Sequence, residues 1–358
     1  MTAGSPHHRP VSRRAKGPSI LALLALLAVL ALLGPAGSLD STHVTIDLDR
    51  VRSPHFQGLG YALDPFLWLP VNRAAGFEEQ DWDIVRRRVA SNRPGWVSMG
   101  VSTGWFHPAP GVFRWDTPEM RALYRYLDLC QELGISVQLV LEWFQAYQSV
   151  GWYTDARAGW LPHDPEVAAQ AYVRLLTHLW GQRGYTIVRA MTIGQEPSPN
   201  LGAQLVALYR TTDRQLRKAG LRQRVLLTGP NAQSPGSDLL PLFDQQLIEE
   251  LDALTVHYYR PHVQRHITEH HIPPVTGLPA RFDRRYPVWL TEFGWPSITD
   301  YYTGVRIAAW VAQSLNAGIE ALLYWTGHAA IRPSVDEQPD TLYSLWLYRD
   351  RAWQPKPF

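Results

Sequence analysis

MTIGQEPSPN, Met191 to Asn200, runs from an apolar lead-in to a glutamate and then two prolines within three residues. The lead-in reads as the end of a buried strand, and a buried strand has no reason of its own to finish on a carboxylate, because a desolvated charge is costly unless it is paired. What Glu196 faces therefore depends on how the rest of the chain is arranged around that strand.

Working outward, short apolar runs alternate with amphipathic stretches from about residue 55 onwards, the pattern of strand and helix units wrapped around a parallel sheet. The strand candidates are Gly58 to Leu63, Trp96 to Val101, Ser136 to Glu142, Ile187 to Gly194, Val225 to Thr228, Ala253 to Tyr258, Val288 to Thr291 and Ala321 to Trp325. Between them lie helical patterns such as DWDIVRRRVAS, TPEMRALYRYLDLCQELG, PEVAAQAYVRLLTHLWGQRG and NLGAQLVALYRTTDRQLRKAG. Asp116 or Thr117, Asp164 and Asn200 stand at N-cap positions, and Gly134, Gly184 and Gly220 stand at C-terminal stops. Eight strands with no Gly-rich phosphate turn after the first predict an α/β fold, a single (β/α)₈ TIM barrel, over an open doubly wound sheet. Two places fit less well. Pro261 to Tyr286 is long and rich in proline and histidine, so the sixth helix should be short or irregular. After the eighth strand about thirty residues remain, ending in WQPKPF, which predicts a short or atypical final helix.

In such a barrel the reactive residues sit at the C-terminal ends of strands, so the informative residues are those that terminate each apolar run. Strand four ends in Gln195 and Glu196; strand seven, VWLTEFGWP, ends in Glu292; strand six, ALTVHYYRP, ends with His257 and Tyr259; strand eight ends with Trp325. Two carboxylates at one barrel mouth, among aromatic side chains, are what cleavage of a glycosidic bond needs: one protonates the leaving oxygen while the other attacks the anomeric carbon. Acid and nucleophile need different surroundings, a crowded apolar one to retain a proton and a donor-rich one to stay ionised. On that reasoning Glu196 should be the partly desolvated proton donor.

These motifs resemble those of the retaining (β/α)₈-barrel glycoside hydrolases of clan A, which include cellulases, mannanases, xylanases and β-glycosidases. That clan usually shows Asn-Glu-Pro after strand four, His-x-Tyr on strand six, Glu-Phe-Gly or similar on strand seven and Trp on strand eight. GQEP at 194 to 197, HYY at 257 to 259, TEFGW at 291 to 295 and YW at 324 to 325 match in order and approximate spacing. The resemblance covers most of residues 55 to 328 and implies roles: Glu196 as general acid/base, Glu292 as nucleophile, Tyr259 as a donor to that nucleophile, Trp325 as the floor under the reacting sugar and His257 as a lining residue. It implies retention of configuration, with carboxyl groups about 5 to 5.5 Å apart.

The chain departs from the pattern twice. Gln195 replaces the usual asparagine, which contacts the sugar 2-hydroxyl, and the arginine common on strand two has no counterpart in WVSMGVS, where Ser98 or a neighbour stands. Trp105, Phe106, Trp143, Trp152, Tyr153, Trp160, Trp295 and Tyr301 fall on or near loops at the top, where flat rings stack on pyranose faces or simply pack. Glu142 ends strand three, where either a sugar hydroxyl or a salt bridge would hold it. The histidines at 262, 266 and 270 have helical spacing near Glu269, but a solvated loop accounts for them better than a metal site, and no cofactor or metal is expected.

The remaining features bound the setting. Residues 7 to 16 are basic, Ile20 to Leu33 are fourteen apolar residues, and small residues follow at Ala36 and Ser38. This predicts a signal peptide over 1–38, with the catalytic domain over 39–358; fourteen residues span about 21 Å, short of a hydrocarbon core of roughly 30 Å, so an uncleaved N-terminal membrane anchor is the alternative. Four of the 34 basic residues and none of the 32 acids lie in that segment, so the mature chain is near neutral, which gives no reason to expect a nucleic-acid partner. Cys130 is the only cysteine, so no intramolecular disulfide forms and the core alone must hold the domain. The sequence thus predicts a secreted monomer with a carbohydrate substrate, touching membrane only if its leader stays attached. A carbohydrate-binding protein that has lost catalysis, or a transglycosylase using the same glutamates, are the alternatives.

Overall fold

In the computed structural model all eight strand segments close into one parallel barrel in sequence order: β1 (Gly58–Ala62), β2 (Trp96–Val101), β3 (Ser136–Leu141), β4 (Val188–Ile193), β5 (Leu226–Gln233), β6 (Ala253–Tyr258), β7 (Val288–Phe293) and β8 (Ala321–Tyr324), with β8 paired back to β1. The structure describes residues 53–63, 65–142, 152–153, 161–197, 199–233, 249–259, 286–296, 302–328, 330–331, 343–349 and 352–356. The chain divides into two units, Met1–Val51 and Arg52–Phe358, and the barrel lies in the second. The leader expected over 1–38, the irregular sixth helix and the histidines at 262, 266 and 270 lie outside the described residues. No helix among the described residues is long and apolar enough to cross a membrane.

The helices are α1 (Pro70–Ala74), α2 (Glu79–Asn92), α3 (Pro118–Leu133), α4 (Pro165–Thr177), α5 (Gly202–Lys218) and α6 (Tyr302–Asn316). Their ends follow from side-chain chemistry. The Thr117 hydroxyl accepts from the Met120 N–H and Asp164 accepts from the N–H groups of Glu166 and Val167, each satisfying donors that the first helical turn leaves unpaired. Gly134 closes α3 at φ 71°, a left-handed conformation that costs glycine little. Asn200 is not the cap it was expected to be: Pro199–Leu201 form a 3₁₀ turn and Leu201 precedes α5, because the proline-rich entry from Glu196 tightens the chain before the helix begins. Among the described residues after β8, β9 (Trp346–Arg349) and β10 (Ala352–Pro355) form an antiparallel pair.

Strand alternation sorts the core into two shells. Val97, Met99 and Val101 of β2, with Leu254, Val256 and Tyr258 of β6, join the large outer cluster under the helices. The opposite face points into the barrel, where the Trp96 and Trp289 rings lie 4.8 Å apart and cluster with Leu323 and with Ala190, Ala253 and Ala321, three small residues making room for two indoles. Above them lies a layer of buried hydroxyl and amide groups, with the Gln138 Nε2 donating to Thr228 Oγ1 at 2.9 Å. Further along the same inward faces come His257 and Glu292, so the interior grades from apolar to ionisable towards the ends of the strands.

Candidate active site

Glu196 reaches the mouth through a short irregular turn. β4 stops at Ile193, Gly194 takes φ 84° and Glu196 itself takes φ 47°. A left-handed glutamate is sterically unfavourable and persists only where its surroundings hold it, which makes it an outlier of the kind found at functional sites. The turn is anchored from outside the barrel by Tyr209 of α5, whose hydroxyl accepts from the Ile193 N–H at 3.0 Å and donates to the Thr228 carbonyl at 2.9 Å. Gly229 leaves room for it, since a Cβ there would lie 2.0 Å from that hydroxyl oxygen.

Glu292 is aimed by irregularity of a second kind. The β6–β7 register shifts between Val256 and His257, so that His257 pairs with Glu292, and the β7–β8 register shifts between Leu290 and Phe293. Such shifts break the two-residue alternation locally and redirect a side chain, here placing Glu292 beside Glu196 across the mouth.

The two carboxylates meet around one imidazole. His257 Nδ1 lies 3.0 Å from Glu196 Oε1 and 3.4 Å from Glu292 Oε2, and one ligand-type atom from each of the three residues falls within 4.8 Å of the others. Tyr259 donates its hydroxyl to Glu292 Oε2 at 2.6 Å and Gln195 donates its Nε2 to Glu292 Oε1 at 2.7 Å. The structure therefore brings together Glu196, Glu292, Gln195, His257 and Tyr259, five residues from the ends of three strands. Among the described residues this trio is also the cluster close enough to hold a cation, although its oxygens already face hydrogen-bond donors of the protein.

The electrostatics of the cluster differ from the expectation in one respect. The deeper desolvation falls on Glu292, whose side chain is 9% exposed, rather than on Glu196, at 27%. Burial pushes the Glu292 carboxyl above the usual carboxylate range, opposed by the charge of His257 and by the Tyr259 and Gln195 donors, while Glu196 adds to the rise. His257 is wholly buried, which alone would favour the neutral ring, yet the Glu292 and Glu196 carboxylates more than offset this and raise its pKa. Tyr259 is pushed far up by burial and by the charge of Glu292, so it stays a proton donor. The ion-pair partner of Glu292 among the described residues is His257, and Ser98 is buried on β2 where an arginine was looked for.

The other expected site residues are placed less uniformly. Trp325 follows β8, 5% exposed, with its N–H bonded to the Phe293 carbonyl and its own carbonyl 3.0 Å from where a Cβ on Gly294 would sit. Trp295 is half-buried under the Arg306 guanidinium at 4.8 Å. Trp105 is 1% exposed and packs edge-on to Phe66 at 5.6 Å, so it is a wall of the core and not a sugar platform. Trp143, Trp160 and Tyr301 lie outside the described residues. Glu142 is buried among hydroxyl groups: its Oε1 accepts from Thr103 Oγ1 at 2.5 Å, Tyr153 OH at 2.7 Å and Tyr172 OH at 2.9 Å. Burial raises its pKa and the three hydroxyls lower it. Tyr209 and Asn231 were not singled out from the sequence. Asn231, at φ 55° in β5, accepts from Thr291 beside Glu292, and a preceding Gly-Pro pair was the one signal of irregularity there.

No family model matches the chain and no curated protein does either. Solved structures do. A family 39 glycoside hydrolase from Bacteroides cellulosilyticus WH2 matches with a TM-score of 0.62 and 14% identity over 86% of this chain and 62% of its own. An endo-1,4-β-D-mannanase from Thermotoga petrophila RKU-1 matches with a TM-score of 0.57 and 16% identity, over 84% and 97%. An exo-β-1,4-mannosidase from Opitutaceae bacterium strain TAV5 matches with a TM-score of 0.61 and 18% identity, over 88% and 60%. The chain thus spans less than two thirds of the first and third of these. At such identities the shared property is the fold, a closed barrel of eight parallel strands with flanking helices, and the neighbours carrying it are glycoside hydrolases.

Proposed function

We propose that the chain is an exported retaining glycosidase that cleaves β-glycosidic bonds of a polysaccharide, oligosaccharide or glycoconjugate. The observation that carries this reading is the meeting of Glu196 and Glu292 around His257, with atoms within 4.8 Å of one another at the ends of strands four and seven. That spacing supports double displacement, for which carboxyl groups stand about 5 to 5.5 Å apart, over single displacement, which leaves about 6.5 to 9.5 Å for a water. β-linked sugars are the class assigned because two of the neighbours are a β-1,4-mannanase and a β-1,4-mannosidase. Export rests on the basic, apolar and small-residue pattern of residues 7 to 38.

In this mechanism Glu292 attacks the anomeric carbon and Glu196 gives its proton to the departing oxygen. Water then enters on Glu196, now the base, and the sugar leaves Glu292 with its configuration retained. Tyr259 holds the attacking carboxylate, and His257 lies between the two carboxylates and balances whichever of them is charged. Intact-mass measurement tests the reading with 5-fluoroglycosyl fluorides of gluco, manno, xylo and galacto configuration. Attack by Glu292 expels fluoride and leaves one 5-fluoroglycosyl group as an ester, which peptide mapping should find on Glu292. No adduct from any of the four would overturn the assignment.

A further inference from the structure

Gln195 stands where the resembling enzymes have an asparagine that contacts the sugar, yet here its amide nitrogen lies 2.7 Å from Glu292 Oε1. An asparagine would fall short by one methylene, roughly 1.5 Å of reach, and would leave that oxygen without this donor. Tyr259, from the end of β6, donates to the other oxygen, Oε2, at 2.6 Å. One donor would let the carboxylate turn about its last side-chain bond; donors from two different strands, one on each oxygen, fix its plane. An ionised carboxylate only accepts, so the amide must present its NH₂ group to Glu292, and its Oε1 is left buried with no partner among the described residues.

We propose that Gln195 is a positioning residue that fixes the Glu292 carboxylate for attack, in the place that an arginine on strand two would otherwise fill. The inference rests on the glycosidase reading above and adds to it a physical link: the turn that carries the acid/base also grips the nucleophile, so the spacing of the two groups is set by adjacent residues. Ser98 offers no cation to Glu292; among the described residues Gln195 and Tyr259 donate to its oxygens, and His257 faces it as an ion-pair partner at 3.4 Å.

The test compares wild type with Gln195→Asn, which shortens the side chain, and Gln195→Glu, which keeps its shape but removes the amide donor. The rate of labelling by the 5-fluoroglycosyl fluoride that marks the wild type is followed against pH, with melting temperature measured alongside. We expect Gln195→Asn to label about 10- to 100-fold more slowly, the value of a hydrogen bond to a charged group. Its acid limb should move up by about one pH unit, because the ionised nucleophile loses a donor. Gln195→Glu should show the same rise in its acid limb and label more slowly still. Wild-type rate and pH profile in either folded variant overturns the inference and leaves the glycosidase reading standing, as does a lower melting temperature with an unmoved acid limb, which is the mark of a merely structural residue. A wild type that accepts no label overturns both.

Discussion

Glu196 and Glu292 carry different burdens, and single substitutions separate them. Glu196→Ala removes the proton donor but leaves attack by Glu292 intact. Substrates with poor leaving groups should therefore slow by about 10²- to 10⁴-fold, while activated aryl glycosides, which need little protonation, slow far less in their first step. Equal losses on both, measured as kcat/KM across a leaving-group series, would contradict the role given to Glu196. Both glutamates were legible in the sequence because each closes an apolar run in an unusual setting, one directly before a proline and one in a Glu-Phe-Gly sequence. Their partners were less so. The reach of Gln195 to Glu292 crosses 97 positions and depends on one methylene. The burial of Trp105 depends on which side of a loop faces the core, which local composition does not encode. The three hydroxyls on Glu142 come from positions 103, 153 and 172, and their convergence exists only in three dimensions.

Elements matter here through the way their ends are held. Tyr209 sits in the middle of α5, but its hydroxyl serves the end of β4, where the ladder to β5 has stopped at Thr192. Tyr209→Phe would leave the buried Ile193 N–H and Thr228 carbonyl without that partner, a cost of about 1 to 3 kcal/mol. We expect a lower melting temperature and, because Gly194 to Glu196 follow directly, a fall in kcat; a loss of stability with unchanged kcat would show that the turn holds itself. Thr117→Ala should cost about 1 kcal/mol through loss of the α3 cap, with activity unaffected. The eight barrel strands were legible as apolar runs because strands buried on both faces need no alternation. The β9–β10 pair was not: WLYR and AWQP are four residues each, and the second ends in proline, too short a signal to stand out from loop.

The molecule as a whole should be squeezed by pH from both sides, and the two sides have different origins. His257 and Glu292 have raised pKa values in the folded chain, so their contribution to stability is fully present below their unfolded values, near 6.5 and 4.5, and is lost as pH rises through the folded ones. Buried neutral histidines act oppositely. Desolvation holds His107 down at about 4 and His328 at about 3, each with both ring nitrogens buried and unpartnered among the described residues. Their contribution is present above about 6.5 and is lost as pH falls from there through 4 and then 3, because the unfolded chain takes up protons that the folded chain refuses. His328 is the sharper case: it stacks on Trp346 at 4.9 Å and meets Trp353 edge-on at 5.2 Å, while the Arg88 guanidinium covers both indoles and disfavours a second cation. Trp353 in turn donates to Asp81 of α2, so this ring seats the terminal strand pair against the barrel's own helix. His328→Phe replaces a ring with two unsatisfied nitrogens by an apolar ring of similar size. We expect a higher melting temperature at pH 5 than wild type, a smaller gain at pH 8, and a shallower acid slope in thermal unfolding followed from pH 7 to 4. An acid slope unchanged by this substitution would mean that protonation of His328 does not limit the fold at low pH.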